Sequence, residues 1–220
     1  MSYTVQDIIT QTQNKIGDTS FSPSEILQYI NNTNRDVHNS YQLRYMQKSI
    51  DYTTTTGVML LGVLPTDMQQ AYTLRRTDKD FAGKMDYLSF DEFDERYPQP
   101  TLSAPSVPTI WYDFSQQIFL FPAPSAVTGK PGYVIQLRYM RTATPLVATT
   151  QTPEIPEEFQ EILALGALSQ AMERRQRFDV SQLYTQQMQQ RVLELVQRYG
   201  NGSMSETDVY VMTAPIGRII

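Results

Sequence analysis

Residues 118–141 read IFLFPAPSAVTGKPGYVIQLRYMR, two apolar runs separated by a segment with three prolines and two glycines. In the second run Tyr133, Ile135, Leu137 and Tyr139 alternate with Gln136 and Arg138, the period-two pattern of a half-buried antiparallel strand. The first run, Ile118 to Phe121, is apolar at every position, so it is expected to lie between a core and a neighbour. The simplest reading pairs the two runs as a β-hairpin whose proline-rich loop resists further pairing. The middle of the chain is then antiparallel β.

Upstream of this stretch the spacing predicts a strand over 109–113 and a tight turn at Phe114-Ser115. Tyr97 to Pro108 contains four prolines and reads as an extended surface loop. Ser89 with Glu92 predicts a capping box on a short helix from Phe90 to Arg96. Before it lie the segment from Lys84 to Leu88 and, ahead of that, a strand at 69–77. From Gln47 the texture is β-branched and aromatic, and Thr53–Thr56 with Val58–Leu64 around Gly57 reads as another hairpin, ending at Leu64-Pro65-Thr66-Asp67.

Further out, both flanks are helical. Thr4 and Asp7 have the capping-box spacing, and Val5, Ile8, Ile9, Thr12 and Ile16 recur at helical period until Gly17, predicting a helix over 4–16. Ser22-Pro23-Ser24-Glu25 starts a second helix, 23–43, with Ile26, Leu27, Ile30, Val37 and Tyr41 as its stripe. Pro153 and Pro156 introduce a third, 156–176, whose Phe159, Ile162, Leu163, Gly166 and Ala167 form a face small enough for close approach. Asp179 is placed to cap a fourth, 180–199, with Val180, Leu183, Tyr184, Met188, Val192, Leu195 and Tyr199 as its stripe. The fold expected is α+β: N-terminal helices (1–46), an antiparallel β-domain (47–150), C-terminal helices packing on the N-terminal ones (151–200), and an extended C-terminal arm (201–220).

Composition removes several function classes. The 220 residues include no cysteine, so thiolate chemistry, disulfides and Cys-based metal sites are excluded, which fits a reducing compartment. With 23 acidic against 18 basic residues the net charge is −5, which gives no overall basic field for nucleic acid. No apolar run approaches the ~20 residues of a membrane span, and the first residues lack the basic and apolar regions of a leader. Neither secretion nor membrane insertion is expected.

The single histidine, His38, excludes histidine pairs and triads and is expected on a helix surface. Asp91, Glu92, Asp94 and Glu95 could hold a carboxylate pair, but they sit where acids favour a helix N-terminus, and a solvated face is the simpler account. Arg174, Arg175 and Arg177 form the one compact basic cluster, which either complements a helix C-terminus or meets an acidic partner or DNA phosphates. Trp111, Tyr112 and Tyr133 are candidates for recognising a carbohydrate or peptide if the protein is a soluble binding module. In the arm, Val209-Tyr210-Val211-Met212-Thr213 alternates like a strand and Ile216, Ile219 and Ile220 follow, so it either stays disordered or adds to another subunit.

The succession YTVQDIITQTQNKIGD, FSPSEILQYINNTNRDVHNSY, GVLPTDM, IWYDFSQQIFLFPAP, YVIQLRYMRTATPLV and IPEEFQEILALGALSQAMERR, over about residues 3–178, resembles the head-to-tail adaptor (connector) proteins of tailed bacteriophages. The resemblance implies a homo-oligomeric ring of about twelve copies, a dodecamer, bound beneath the portal protein. Such a ring continues the DNA channel without sequence-specific binding and offers a platform to a tail protein, a nozzle or tail tube. It implies no enzyme activity, and with it no catalytic residue, metal or cofactor. The place implied is the virion neck, with assembly in the host bacterial cytoplasm. Carried onto this chain, portal binding falls to Val209, Tyr210, Val211, Ile216, Ile219 and Ile220. Ring or tail contacts fall to Ile118, Phe119, Phe121, Arg174, Arg175 and Arg177.

Overall fold

The computed structural model describes residues 3–17, 20–78, 82–127, 129 and 132–200. Its elements in chain order are α1 (Val5–Ile16), α2 (Pro23–Ser40), β1 (Gln47–Thr53), β2 (Leu60–Val63), β3 (Met68–Arg76), β4 (Gly83–Lys84), β5 (Asp86–Tyr87), α3 (Phe90–Arg96), β6 (Ile110–Phe114), β7 (Gln117–Phe121), β8 (Val134–Arg141), α4 (Glu161–Arg174) and α5 (Phe178–Tyr199). Short 3₁₀ turns occupy Arg44–Met46, Pro100–Leu102 and Glu157–Phe159. The chain is α+β and forms two units. A helical unit takes the chain up to Met46 and from Thr142 onward, and a β-unit is Gln47–Arg141.

In the helical unit the start signals of the first two helices form as the sequence predicts, whereas the helix expected from 156 begins at Glu161, after the 3₁₀ turn Glu157–Phe159. Thr4 Oγ1 accepts from the Asp7 N–H, the Asp7 carboxylate returns to the Thr4 N–H at 2.8 Å, and Gly17 closes α1 in the left-handed region at φ 66°. Ser22 Oγ accepts from the Glu25 N–H to start α2. That helix stops at Ser40 rather than 43, because Tyr41 turns extended and Leu43 forms a β-bridge with Gly200. The β-region expected over 47–150 ends at Arg141, and residues 142–150 join the helical unit. Thr149 and Gln151 carbonyls accept from the Gln6 and Val5 N–H groups, and Asn31 bonds both the N–H and the C=O of Leu146 at 2.8 Å.

α4 is the centre of this unit, buried without interruption from Ile162 to Ser169 and again at Ala171 and Met172. It packs on α1, α2 and α5, and each large apolar side chain it buries stabilises by about 1.5–3 kcal/mol. Gly166 is what lets α2 approach, since a Cβ there would collide with Thr33. The α5 contact is different. Ser169 Oγ lies 3.0 Å from Ser181 Oγ and 2.8 Å from Thr185 Oγ1. Apolar burial on α5 is confined to Val192, Leu195 and Val196, while Phe178 and Leu183 stay exposed. Asp179 does not cap α5: Arg177 holds the N-cap position and Asp179 lies in the first turn.

His38 is a second correction, being 2% exposed instead of on the helix surface. It stands four residues after the buried Asn34, whose carbonyl is 2.7 Å from Nδ1, and Tyr45 approaches Nε2 at 3.2 Å. A carbonyl only accepts, so Nδ1 donates and, in the neutral ring, Nε2 accepts from the tyrosine. With both ring nitrogens bonded, the imidazole is buried at low cost.

The β-unit holds two sheets, ordered β1-β8-β3-β4 and β2-β7-β6-β5, antiparallel except for the parallel β5/β6 pair. Neither hairpin expected from sequence forms. β7 and β8 lie in different sheets, and each already has both hydrogen-bonding edges filled, β7 by β2 and β6, β8 by β1 and β3. β7 takes β6 as its hairpin partner because the two-residue turn Ser115-Gln116, with φ of 49° and 62°, matches strand twist. The Phe121–Tyr133 connection instead carries the chain between sheets, with Gly132 pressed on the Thr54 carbonyl where no Cβ fits. β1 and β2 are likewise split, one pairing with β8 and the other with β7. The alternation read for 133–139 holds: Tyr133, Ile135, Leu137 and Tyr139 share a core with Leu74, Met85, Trp111, Ile118 and Leu120.

Candidate partner-binding surface

Strand β7 has a side chain cluster on each face. Ile118 and Leu120 point into the core just described, and Phe119 and Phe121 point outward, where α3 covers part of the sheet. Directly opposed residues of neighbouring strands share a face. The register therefore sets Leu60, Phe119 and Tyr112 in one outward row and Val63, Gln117 and Phe114 in another.

α3 is short but well fixed. Ser89 and Glu92 form the predicted capping box, and the Ser89 backbone N–H and then its hydroxyl hold the Glu92 carboxyl below its usual range. Phe93 stacks on Tyr112 at 4.0 Å and meets Phe121 edge-on at 5.4 Å, while Tyr97 lies 4.3 Å from Phe121. Burial pushes the Tyr112 phenol up.

Seven residues cannot cover the whole outer face. Phe90 stacks on Phe114 at 4.4 Å and Tyr112 on Phe119 at 5.1 Å, yet Phe90, Phe114, Leu60 and Val63 remain 38%, 51%, 40% and 60% exposed. The outward face is thus largely aromatic and aliphatic, with half-buried Phe119 between Leu60 and Tyr112 and with Gln117 between Val63 and Phe114. Large joined apolar patches on soluble proteins mark interaction sites.

A profile of the SU10 adaptor protein family matches residues 3–210. The chain belongs to the SU10 adaptor protein family. It is a phage adaptor with a structural role, the class its sequence resembles. No curated protein matches it.

Within this adaptor the sequence-derived contact residues divide. Ile118 and Phe121 are buried in the β-unit's own packing and Phe119 alone of the three reaches the surface. Arg174 pairs with Glu25, and both Arg174 and Arg175 lie over the Phe21 ring at 5.4 and 5.2 Å. Arg175 also donates to Ser20 Oγ. Arg177 is exposed at the start of α5. The cluster is therefore in large part internal, tying the end of α4 to the start of α2.

The remaining candidates do not assemble. Trp111 and Tyr133 belong to the core between the sheets, whereas Tyr112 faces out against α3. Glu92 is occupied by its cap, and no group of three potential metal ligands exists among the described residues. No helix among them is long and apolar enough to cross a membrane. Val209, Tyr210, Val211, Ile216, Ile219 and Ile220 lie outside the described residues.

Phe119 is among the contact residues expected from sequence, and Phe90, Phe114, Leu60 and Val63 are not. A signal was available. Tyr112 and Phe114 alternate with Trp111 and Asp113, which marks the strand before the turn as apolar on its outer face too.

Proposed function

We propose that this adaptor works as a closed ring of about twelve copies beneath the portal protein, continuing the DNA channel and presenting a platform to the next tail protein. The observation that carries the reading is the partly covered aromatic surface around Phe119, on a chain of the adaptor family. A monomer gains nothing from leaving Phe114 and Val63 in water, whereas a ring contact buries them at about 25 cal/mol per Å². Phe119 touches the neighbour, and Ile118 and Phe121 hold it in place from within. Arg177, the basic residue at the start of α5, meets an acidic partner or passing DNA, and Arg174 and Arg175 support that corner.

The arm residues Val209, Tyr210, Val211, Ile216, Ile219 and Ile220 bind the portal. The net charge of −5 suits a channel wall that does not adhere to DNA phosphates and reads no sequence. The site of action is the virion neck, reached by assembly in the host cytoplasm.

Native mass spectrometry of the full chain, and of a chain ending at Ser203, mixed with the portal of the same phage tests this. A portal-bound ring with the full chain, lost on shortening, is expected. A full chain that stays monomeric beside the portal overturns the ring.

A further inference from the structure

A separate cavity of about 330 Å³ opens in the β-unit between β3 and the β5–β6 pair. Tyr87 and Trp111 form one wall, their ring centroids 4.7 Å apart and their planes tilted by 55°. Leu64, Met68 and Ala71 form an apolar wall, and Asp113 lies in the lining. No lysine or arginine lines the cavity, and no cation pairs with Asp113 among the described residues. The Tyr87 phenol beside it is pushed up by burial first and then by the Asp113 carboxylate, with Glu92 adding negative potential.

We infer that this cavity receives an arginine side chain from a partner polypeptide. A guanidinium stacks on the exposed Tyr87 face, forks onto the Asp113 carboxylate and lays its methylene stem along Met68 and Leu64. Three features select that ligand. The two rings meet as a corner, where a sugar would need a flat platform. The single charge has no cation beside it among the described residues, and the apolar wall fits a stem that ends in a cation. Lysine offers no planar fork for the carboxylate and stacks less well. The inference concerns a site on the inner side of the second sheet and does not depend on the ring contact around Phe119.

Trp111 is the only tryptophan in the chain, so tryptophan fluorescence is read from a wall of this cavity. The full-length protein is titrated with N-acetyl-L-arginine amide, its lysine counterpart and a neutral disaccharide, all at constant ionic strength. A saturable change with the arginine compound is expected, weaker by about threefold with lysine. Asp113→Asn is expected to weaken it by about tenfold, while Tyr87→Phe, which keeps the stacking ring and the Asp113 charge, binds about as well. Circular dichroism verifies that both variants fold. No saturable response, a response unchanged in Asp113→Asn, or saturation by the disaccharide instead overturns the assignment.

Discussion

α4 and β7 are both the central, apolar elements of their units, and they are enclosed to different degrees. α4 has α1, α2 and α5 around it, and every residue from Ile162 to Ser169 is buried. β7 has a full core against Ile118 and Leu120, but its other face meets one helix of seven residues and leaves Phe90, Phe114 and Val63 in water. The difference is one of reach. Long helices with small residues between them can close around a cylinder, while a two-turn helix cannot span four strands. Apolar residues beyond its reach stay in water in the single chain, which is what the proposed ring contact would use.

The contrast between the two faces of β7 can be broken most directly by charge. Ile118→Asp is expected to destabilise by about 4–5 kcal/mol, as an unpaired charge in a dry core does. Phe119→Asp is expected to cost about 1–2 kcal/mol while abolishing assembly. Urea unfolding and native mass spectrometry read the two effects; equal losses of stability would mean that the outer face is core as well. Next in size is Gly166→Val, which forces α4 away from Thr33 and should cost about 3 kcal/mol. A variant as stable as the parent would show that α4 is less tightly held than its burial says.

Ser89→Ala removes the cap of α3, at about 1 kcal/mol, and should uncover more of the outer face. Increased binding of a hydrophobic dye at unchanged inner-core stability is the signature. The smallest effect is electrostatic. Lys48 donates to Asp67 at 2.9 Å and Tyr139 does so too, and these bonds, Lys48 first, lower the Asp67 pKa. A carboxyl depressed on folding adds stability above its unfolded value of about 3.9, and loses it as pH falls through the lower folded value. Asp67→Asn should therefore flatten the loss of stability between about pH 4 and the folded titration. If both proteins lose the same amount there, the pair contributes nothing.

What the sequence made legible was local. The Thr4–Asp7 and Ser89–Glu92 boxes, the Ser22 cap, the Gly166 approach and the alternation from Tyr133 to Tyr139 each rest on residues a few positions apart, where geometry follows from spacing. Strand partners were not legible, because β7 and β8 show the same apolar pattern whether they pair or face each other across a core. Deciding that requires knowing that β2, β6, β1 and β3 fill their edges, which is a property of the whole sheet order. His38 escaped for a similar reason, since its cover comes from Tyr45 on a turn outside the helix. At the candidate surface Phe119 could be read from its strand, but the exposure of Leu60 and Val63 depends on where α3 ends.

The β-unit interrupts the helical unit, entering after Met46 and leaving at Arg141. The consequence falls on the ribosome. α1 and α2 are made first, yet the helix they pack against, α4, begins only at Glu161. At roughly 5–20 residues per second the N-terminal helices wait on the order of 10 s with their apolar stripes uncovered. Meanwhile the β-unit, whose residues are contiguous, can fold as it emerges. The nascent chain is thus most exposed to chaperones and to aggregation through Ile8, Ile9, Ile26 and Ile30, all fully buried in the finished protein.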